Sequence, residues 1–215
     1  MRRASLLVLL PLAFLGACDS DPAVPLPPPA LLPLEVGHRL IFELTASDGA
    51  GDVTAVERDT VTVVGDTVLT GGRWYVLSGS SRESQAGFGG LNTVREDGVW
   101  FRGEAESPPF LQYAYPAEPG ASYPYSPYRY EAEATLVSTE TAGARQGHLY
   151  SIRFVRRKDF PVAYSERVPP LRRVLVPGVG FDEYETQWWV SNADGDLVVS
   201  RALSWRLLRF EPAGG

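Results

Sequence analysis

Apolar and polar residues alternate with a period of two along most of this chain, the pattern of strands that bury one face. In His38 to Leu44 the even positions His38, Leu40, Phe42 and Leu44 form one face, and Arg39 and Glu43 lie opposite. Arg58 to Val64 is rich in Val and Thr, whose branched side chains suit a pleated surface. Gly71-Gly72 leads into a further strand, Arg73 to Ser78, and Asp97-Gly98 is a hairpin signal between Thr93-Val94-Arg95 and Val99-Trp100-Phe101. His148, Tyr150, Ile152 and Phe154 alternate with polar neighbours. Near the end Leu197, Val199, Leu203, Trp205 and Leu207 share a face, with Ser200, Ser204 and Arg206 opposite, and the turn from Asn192 to Asp196 closes a hairpin with Gln187 to Val190. No convincing amphipathic helix exceeds two turns. Many strands with short turns and no helical crossovers predict one all-β antiparallel domain: a curved sheet, half-barrel or sandwich.

The two halves of the pattern resemble each other. Pro33-Leu34-Glu35-Val36-Gly37 before a strand is echoed by Pro116-Ala117-Glu118-Pro119-Gly120. Asp59 to Val64 corresponds to Ala134 to Thr139, Gly72 to Val76 to Gly147 to Ile152, and Asp97-Gly98-Val99-Trp100 to Pro177-Gly178-Val179-Gly180-Phe181. Two related β-meanders, packed together or joined edge to edge, would follow.

The first 33 residues break the alternation. Arg2 and Arg3 precede an apolar run from Leu6 to Leu15, too short for a bilayer span of roughly 20 residues but suited to a secretory signal. Leu15-Gly16-Ala17-Cys18 resembles a bacterial lipobox, which implies that Cys18 is acylated and becomes the mature N-terminus. Cys18 is also the sole cysteine, so an intrachain disulfide is excluded. From Asp19 to Pro33 six prolines favour an extended backbone. The expected organisation is a signal peptide over 1–17, a lipidated tether over 18–33 and a globular domain over 34–215. A lipid anchor makes the membrane a partner and places the domain in the cell envelope, with the outer membrane preferred over the inner. Without Arg2 and Arg3, 18 basic residues face 26 acidic ones, a net charge of −8 that argues against nucleic acid.

The lipobox, the proline tether, Leu34-Glu35-Val36-Gly37 before a strand and the late Val176-Pro177-Gly178-Val179-Gly180 together resemble a class of uncharacterised Gram-negative lipoproteins. Where those often carry Trp after the opening glycine, this chain has His38-Arg39-Leu40-Ile41. The resemblance implies an architecture and no activity.

Candidate chemistry is sparse. The two histidines, His38 and His148, fall in phase with the apolar faces of their strands and read as packing residues, and no spacing suggests a metal site. No G-x-S-x-G nucleophile turn occurs, and Ser78-Gly79-Ser80-Ser81 reads as a loop. Asn192, Asp194 and Asp196 begin like a calcium loop, but Arg201 stands where its bidentate Glu should be. Arg156-Arg157-Lys158 and Arg172-Arg173 read as basic clusters on solvated loops. The aromatic residues carry more information. Phe110, Tyr113, Tyr115, Tyr123, Tyr125, Tyr128 and Tyr130 crowd together, and pairs two apart point to one face of a strand. Adjacent Trp188 and Trp189 should face opposite ways, so one of them should meet a second layer, a cavity or a partner.

These features predict a non-catalytic binding module without a cofactor, taking an apolar or lipid ligand, with Trp188, Trp189, Tyr123, Tyr125 and Trp205 as lining residues. The alternative is a structural lipoprotein that docks another envelope protein through its aromatic patch. A hydrolase is the weakest reading.

Overall fold

The computed structural model describes residues 29–125, 130–142, 145–157, 169–191, 193 and 197–214. The signal segment, Cys18, the first part of the tether, Tyr128 and most of the 192–196 turn lie outside the described residues, as do the side chains of Tyr130, Arg156 and Arg157.

The chain forms β1 (Arg39–Asp48), β2 (Val53–Leu69), β3 (Gly72–Gly79), α1 (Arg82–Phe88), β4 (Gly90–Arg95), β5 (Gly98–Arg102) and β6 (Phe110–Ala114). It continues with β7 (Ser122–Tyr125), β8 (Tyr130–Ala142), β9 (Arg145–Arg157), β10 (Leu171–Val176), β11 (Gly180–Ser191) and β12 (Leu197–Glu211). All twelve strands make one sheet in the order β6-β5-β4-β3-β2-β1-β12-β11-β10-β9-β8-β7, antiparallel throughout and nearly closed like a barrel. The expected all-β antiparallel domain is present. Its inner face is the apolar phase read from the sequence: Leu40, Phe42 and Leu44 on β1, Tyr150 and Ile152 on β9, Leu203 and Trp205 on β12 are all buried.

Two six-stranded meanders, β1–β6 and β7–β12, meet where β1 pairs with β12. Their openings are built alike. Gly37 N–H donates to Val63 C=O (2.8 Å), His38 N–H to Glu35 C=O (3.0 Å) and Val63 N–H to His38 C=O (2.9 Å). In the second half Gly120 N–H donates to Leu136 C=O (2.6 Å), Ala121 N–H to Glu118 C=O (3.0 Å) and Leu136 N–H to Ala121 C=O (3.0 Å). Gly37 (φ +101°) and Gly120 (φ +89°) both occupy the region that only glycine enters cheaply, which explains the shared sequence signature.

At the far side β6 and β7 face each other without a backbone ladder. Tyrosine hydroxyls replace it. Tyr123 donates to Gln112 C=O (3.0 Å) and Tyr150 to Ala114 C=O (2.7 Å), so carbonyls of the β6 edge are satisfied from inside the barrel.

The β2–β3, β4–β5 and β10–β11 turns mark one end of the barrel. Leu31 and Leu32 close it, fully buried, with Gly178 N–H donating to Ala30 C=O (2.8 Å). The sequence assigns both leucines to the tether. The structure packs them into the core, because two adjacent apolar side chains gain more from burial than an extended solvated backbone offers. The other end is partly covered by α1, which starts with a reciprocal cap between Ser81 and Ser84. Its last residue, Phe88, enters the core against Tyr184 (4.3 Å), Phe181 (5.2 Å), Phe42 (5.4 Å) and Trp205 (5.5 Å).

Candidate functional site

The tryptophan pair sits at the α1 end of the barrel. A bulge falls between Trp188 and Trp189, so Trp188 pairs with Arg201 and Trp189 with Val199. The extra residue of the bulge, Ser200, lies in β12, so it is the phase of β12 that shifts there, while Trp188 and Trp189 follow one another along β11 without an inserted residue. Trp188 remains 39% exposed at the rim beneath the Arg201 guanidinium (5.5 Å), and Arg201 in turn pairs with Glu83 of α1 (3.4 Å). Trp189 meets Phe154 edge to face (5.1 Å).

Phe154 belongs to a small apolar cluster of Tyr125, Ala132, Ala134, Ile152 and Leu171, flanked by Phe110 and Tyr123. Phe110 meets Tyr125 (5.4 Å) and Phe101 (5.5 Å). Aromatic side chains from β5, β6, β7, β9 and β11 therefore form a collar around a patch to which β8 contributes Ala132 and Ala134 among the described residues. Of the residues singled out from the sequence, Trp188, Trp189, Tyr123 and Tyr125 converge on this end of the barrel. Outside the collar the β7–β8 hairpin lines an open groove of about 540 Å³, with Ser122, Pro124, Glu131, Glu133 and Val155 beside the two tyrosines.

Trp205 lies elsewhere. It is wholly buried under α1, and its indole N–H donates to Asp59 (3.0 Å). Asp59 is a feature the sequence reading missed. Its carboxylate is 1% exposed and also accepts from Ser80 (2.7 Å), Ser81 (2.8 Å), Ser84 (3.0 Å) and the Thr60 N–H (2.8 Å). Burial pushes its pKa up, but the hydrogen bonds from Trp205, Ser80, Ser81 and Ser84 outweigh that and hold it below the usual carboxylate value. Ser80 and Ser81, read as an idle loop, are thus the clamp that fastens α1. Gly79 is required there, since a Cβ would run into Ser84.

Arg172-Arg173 is likewise not a solvated loop. Both residues lie in β10, where Arg172 pairs outward with Glu183 (2.9 Å) and Arg173 points inward, 4% exposed. Leu171 before it belongs to the collar cluster and Leu175 after it to the main core, so Arg173 stands between the two. Its Nη1 donates to the hydroxyls of Tyr113 (2.9 Å) and Tyr125 (3.0 Å), and its guanidinium lies 4.0 Å from the centre of the Tyr184 ring. Nε has no partner.

The histidines pack as their strand phase suggests. His38 meets Phe210 (5.3 Å) and its ring nitrogens face Pro33 C=O and Glu35 (3.2 Å each). His148 meets Tyr115 (5.1 Å), and burial holds its pKa below the usual value. Among the described residues no group of three His, Cys, Asp or Glu is arranged to hold a metal, and no helix is long and apolar enough to cross a membrane.

No family model, curated protein or solved structure matches the chain.

Proposed function

We propose that this chain is a lipoprotein of the cell envelope, anchored through acylated Cys18 at the outer membrane, whose barrel is a non-catalytic binding module for an apolar or lipid ligand. The supporting observation is the collar. Phe110, Tyr125, Phe154 and Trp189 surround a patch of alanine and branched aliphatic side chains at the barrel end that α1 covers only in part. Pockets for apolar ligands have this make-up: aromatic walls, small residues that leave room, and few polar groups. The test is native mass spectrometry with solvent extraction on the full chain carrying Cys18→Ser, purified without detergent. A reproducible small-molecule adduct is expected. A clean apo mass, with tryptophan fluorescence that no lipid or detergent monomer shifts, would sink the reading.

One observation favours docking to an envelope protein instead. Trp188 is exposed at the rim beside Arg201, and such aromatic–arginine pairs are frequent anchors of protein interfaces. Capture of one stoichiometric partner, lost on Trp188→Ala while the apo mass stays clean, would decide for it.

A further inference from the structure

The polar group at the floor of the collar is a guanidinium held by two tyrosine hydroxyls. Arg173 carries five N–H groups and no acceptor; the Glu185 carboxylate, bonded to the Arg172 N–H (2.9 Å), is near enough to act on it electrostatically, but no carboxylate touches it among the described residues. Its two hydrogen-bond partners are hydroxyls that accept from it, so Tyr113 and Tyr125 each keep one O–H to donate elsewhere. No acceptor for either hydroxyl is present among the described contacts. Burial pushes the Tyr113 phenol well up, so it stays a protonated donor at neutral pH. The Nε–H is unpartnered among the described residues as well. A buried cation normally has a carboxylate or an oxyanion close by, because its desolvation is otherwise uncompensated. Three unsatisfied donors around one positive charge describe the complement of an oxyanion.

The surroundings select which oxyanion. One side of Arg173 is the packed core and the other is the alanine-lined cluster inside the aromatic collar. An oxyanion on a single apolar chain satisfies both: its charged oxygens meet Arg173, Tyr113 and Tyr125, and its tail lies along Ala132, Ala134 and Ile152.

We infer that Arg173, with the hydroxyls of Tyr113 and Tyr125, is the headgroup site for the carboxylate of a long-chain amphiphile. The inference rests on the apolar-ligand reading above and names its ligand class.

The test compares oleate, methyl oleate and inorganic phosphate, each titrated against the tryptophan fluorescence of the full chain carrying Cys18→Ser. Oleate is expected to bind at least about tenfold more tightly than its ester at neutral pH, the worth of a charge-assisted hydrogen bond. Arg173→Met should bring the two within about threefold, and Tyr125→Phe should narrow the gap without abolishing it. The wild-type comparison is decisive even if Arg173→Met fails to fold. Equal binding of oleate and ester would overturn the headgroup site while leaving the apolar-ligand reading intact. Phosphate binding as tight as oleate would overturn the amphiphile in favour of a small-anion site. Binding of none of the three would overturn both readings.

Discussion

Asp59 and Arg173 are both buried inside one barrel, yet their surroundings are opposite in kind. Asp59 has five donors: a neighbouring backbone N–H, three serines of the α1 segment and the indole of Trp205. Arg173 has two tyrosine hydroxyls, an aromatic face and an unpartnered Nε. A charge that organises its surroundings is satisfied by them. The difference identifies Asp59 as part of the fold's own framework, fastening α1 over the barrel end, and leaves Arg173 as the group whose complement the described chain does not supply.

The largest expected effect therefore comes from Asp59. Asp59→Ala takes the acceptor from four side-chain donors and one backbone donor, leaves the buried Trp205 indole N–H without its partner, and should cost about 3–5 kcal/mol in denaturant unfolding. A loss under about 1 kcal/mol would remove the framework role. The pH dependence follows the same bond set. The folded-state pKa lies below the ordinary value of 3.8, so the carboxylate contributes stability that is complete above that value and is lost as pH falls through the folded pKa. His148 acts in the same direction. Its half-buried ring has a pKa depressed by desolvation, so its contribution is present above the unfolded value of 6.5 and is lost as pH falls through the folded value. Unfolding midpoints measured from pH 7 down to pH 3 should fall in the wild type. They should fall less steeply below pH 4 in Asp59→Asn, and an unchanged slope there would put the acid sensitivity elsewhere.

Comparable in size is Phe88→Ala, which removes the aromatic side chain that α1 inserts among Phe42, Phe181, Tyr184 and Trp205. Large-to-small changes of a buried ring cost about 3–5 kcal/mol. If Phe88 only covers the barrel end without packing into it, the measured loss will stay near 1 kcal/mol.

What the sequence made legible was whatever depends on one strand at a time. The inner faces of β1, β9 and β12, the Asp97-Gly98 hairpin and the paired glycine openings of the two halves all follow from local alternation and turn chemistry. Features set by two strands at once were hidden. The bulge at Ser200, opposite Trp188 and Trp189, exists only in the register between β11 and β12, so no pattern within one strand announces it. Asp59 and Arg173 both sit in the apolar phase of their strands, beside Val61 and between Leu171 and Leu175. That signal was available. It was masked for Arg173 by its neighbour Arg172, which made the pair read as a surface cluster, and for Asp59 by the absence of any local donor set until α1 folds back. Leu31 and Leu32 were hidden by the prolines around them, whose backbone preference says nothing about where the side chains pack.

A smaller effect tests the seam. Tyr150→Phe leaves Ala114 C=O without its donor and should cost about 1–2 kcal/mol. Because the hydroxyl substitutes for a missing ladder, amide exchange should accelerate chiefly in β6 rather than across the sheet. Uniform acceleration would mean that Tyr150 supports the core through its ring alone.

The smallest effect on stability is expected where the charge is buried with least compensation. Arg173→Met keeps an unbranched apolar stem while removing a desolvated cation and its contact with the Tyr184 ring. It also releases the Tyr113 and Tyr125 hydroxyls from their donor, which costs something. Replacing a poorly compensated buried charge by an apolar group of similar volume is often neutral or stabilising by about 1–4 kcal/mol. The two contributions should leave Arg173→Met within about 1 kcal/mol of the wild type, or above it, against the severe loss expected for Asp59→Ala. Denaturant midpoints of the two variants, measured side by side, decide the matter. If Arg173→Met loses as much as Asp59→Ala, the guanidinium is a structural group like the carboxylate, and the tyrosines around it are sufficient partners. If it loses little, the fold retains a charge that does not contribute to its stability, and the reason for that charge lies in what binds to it.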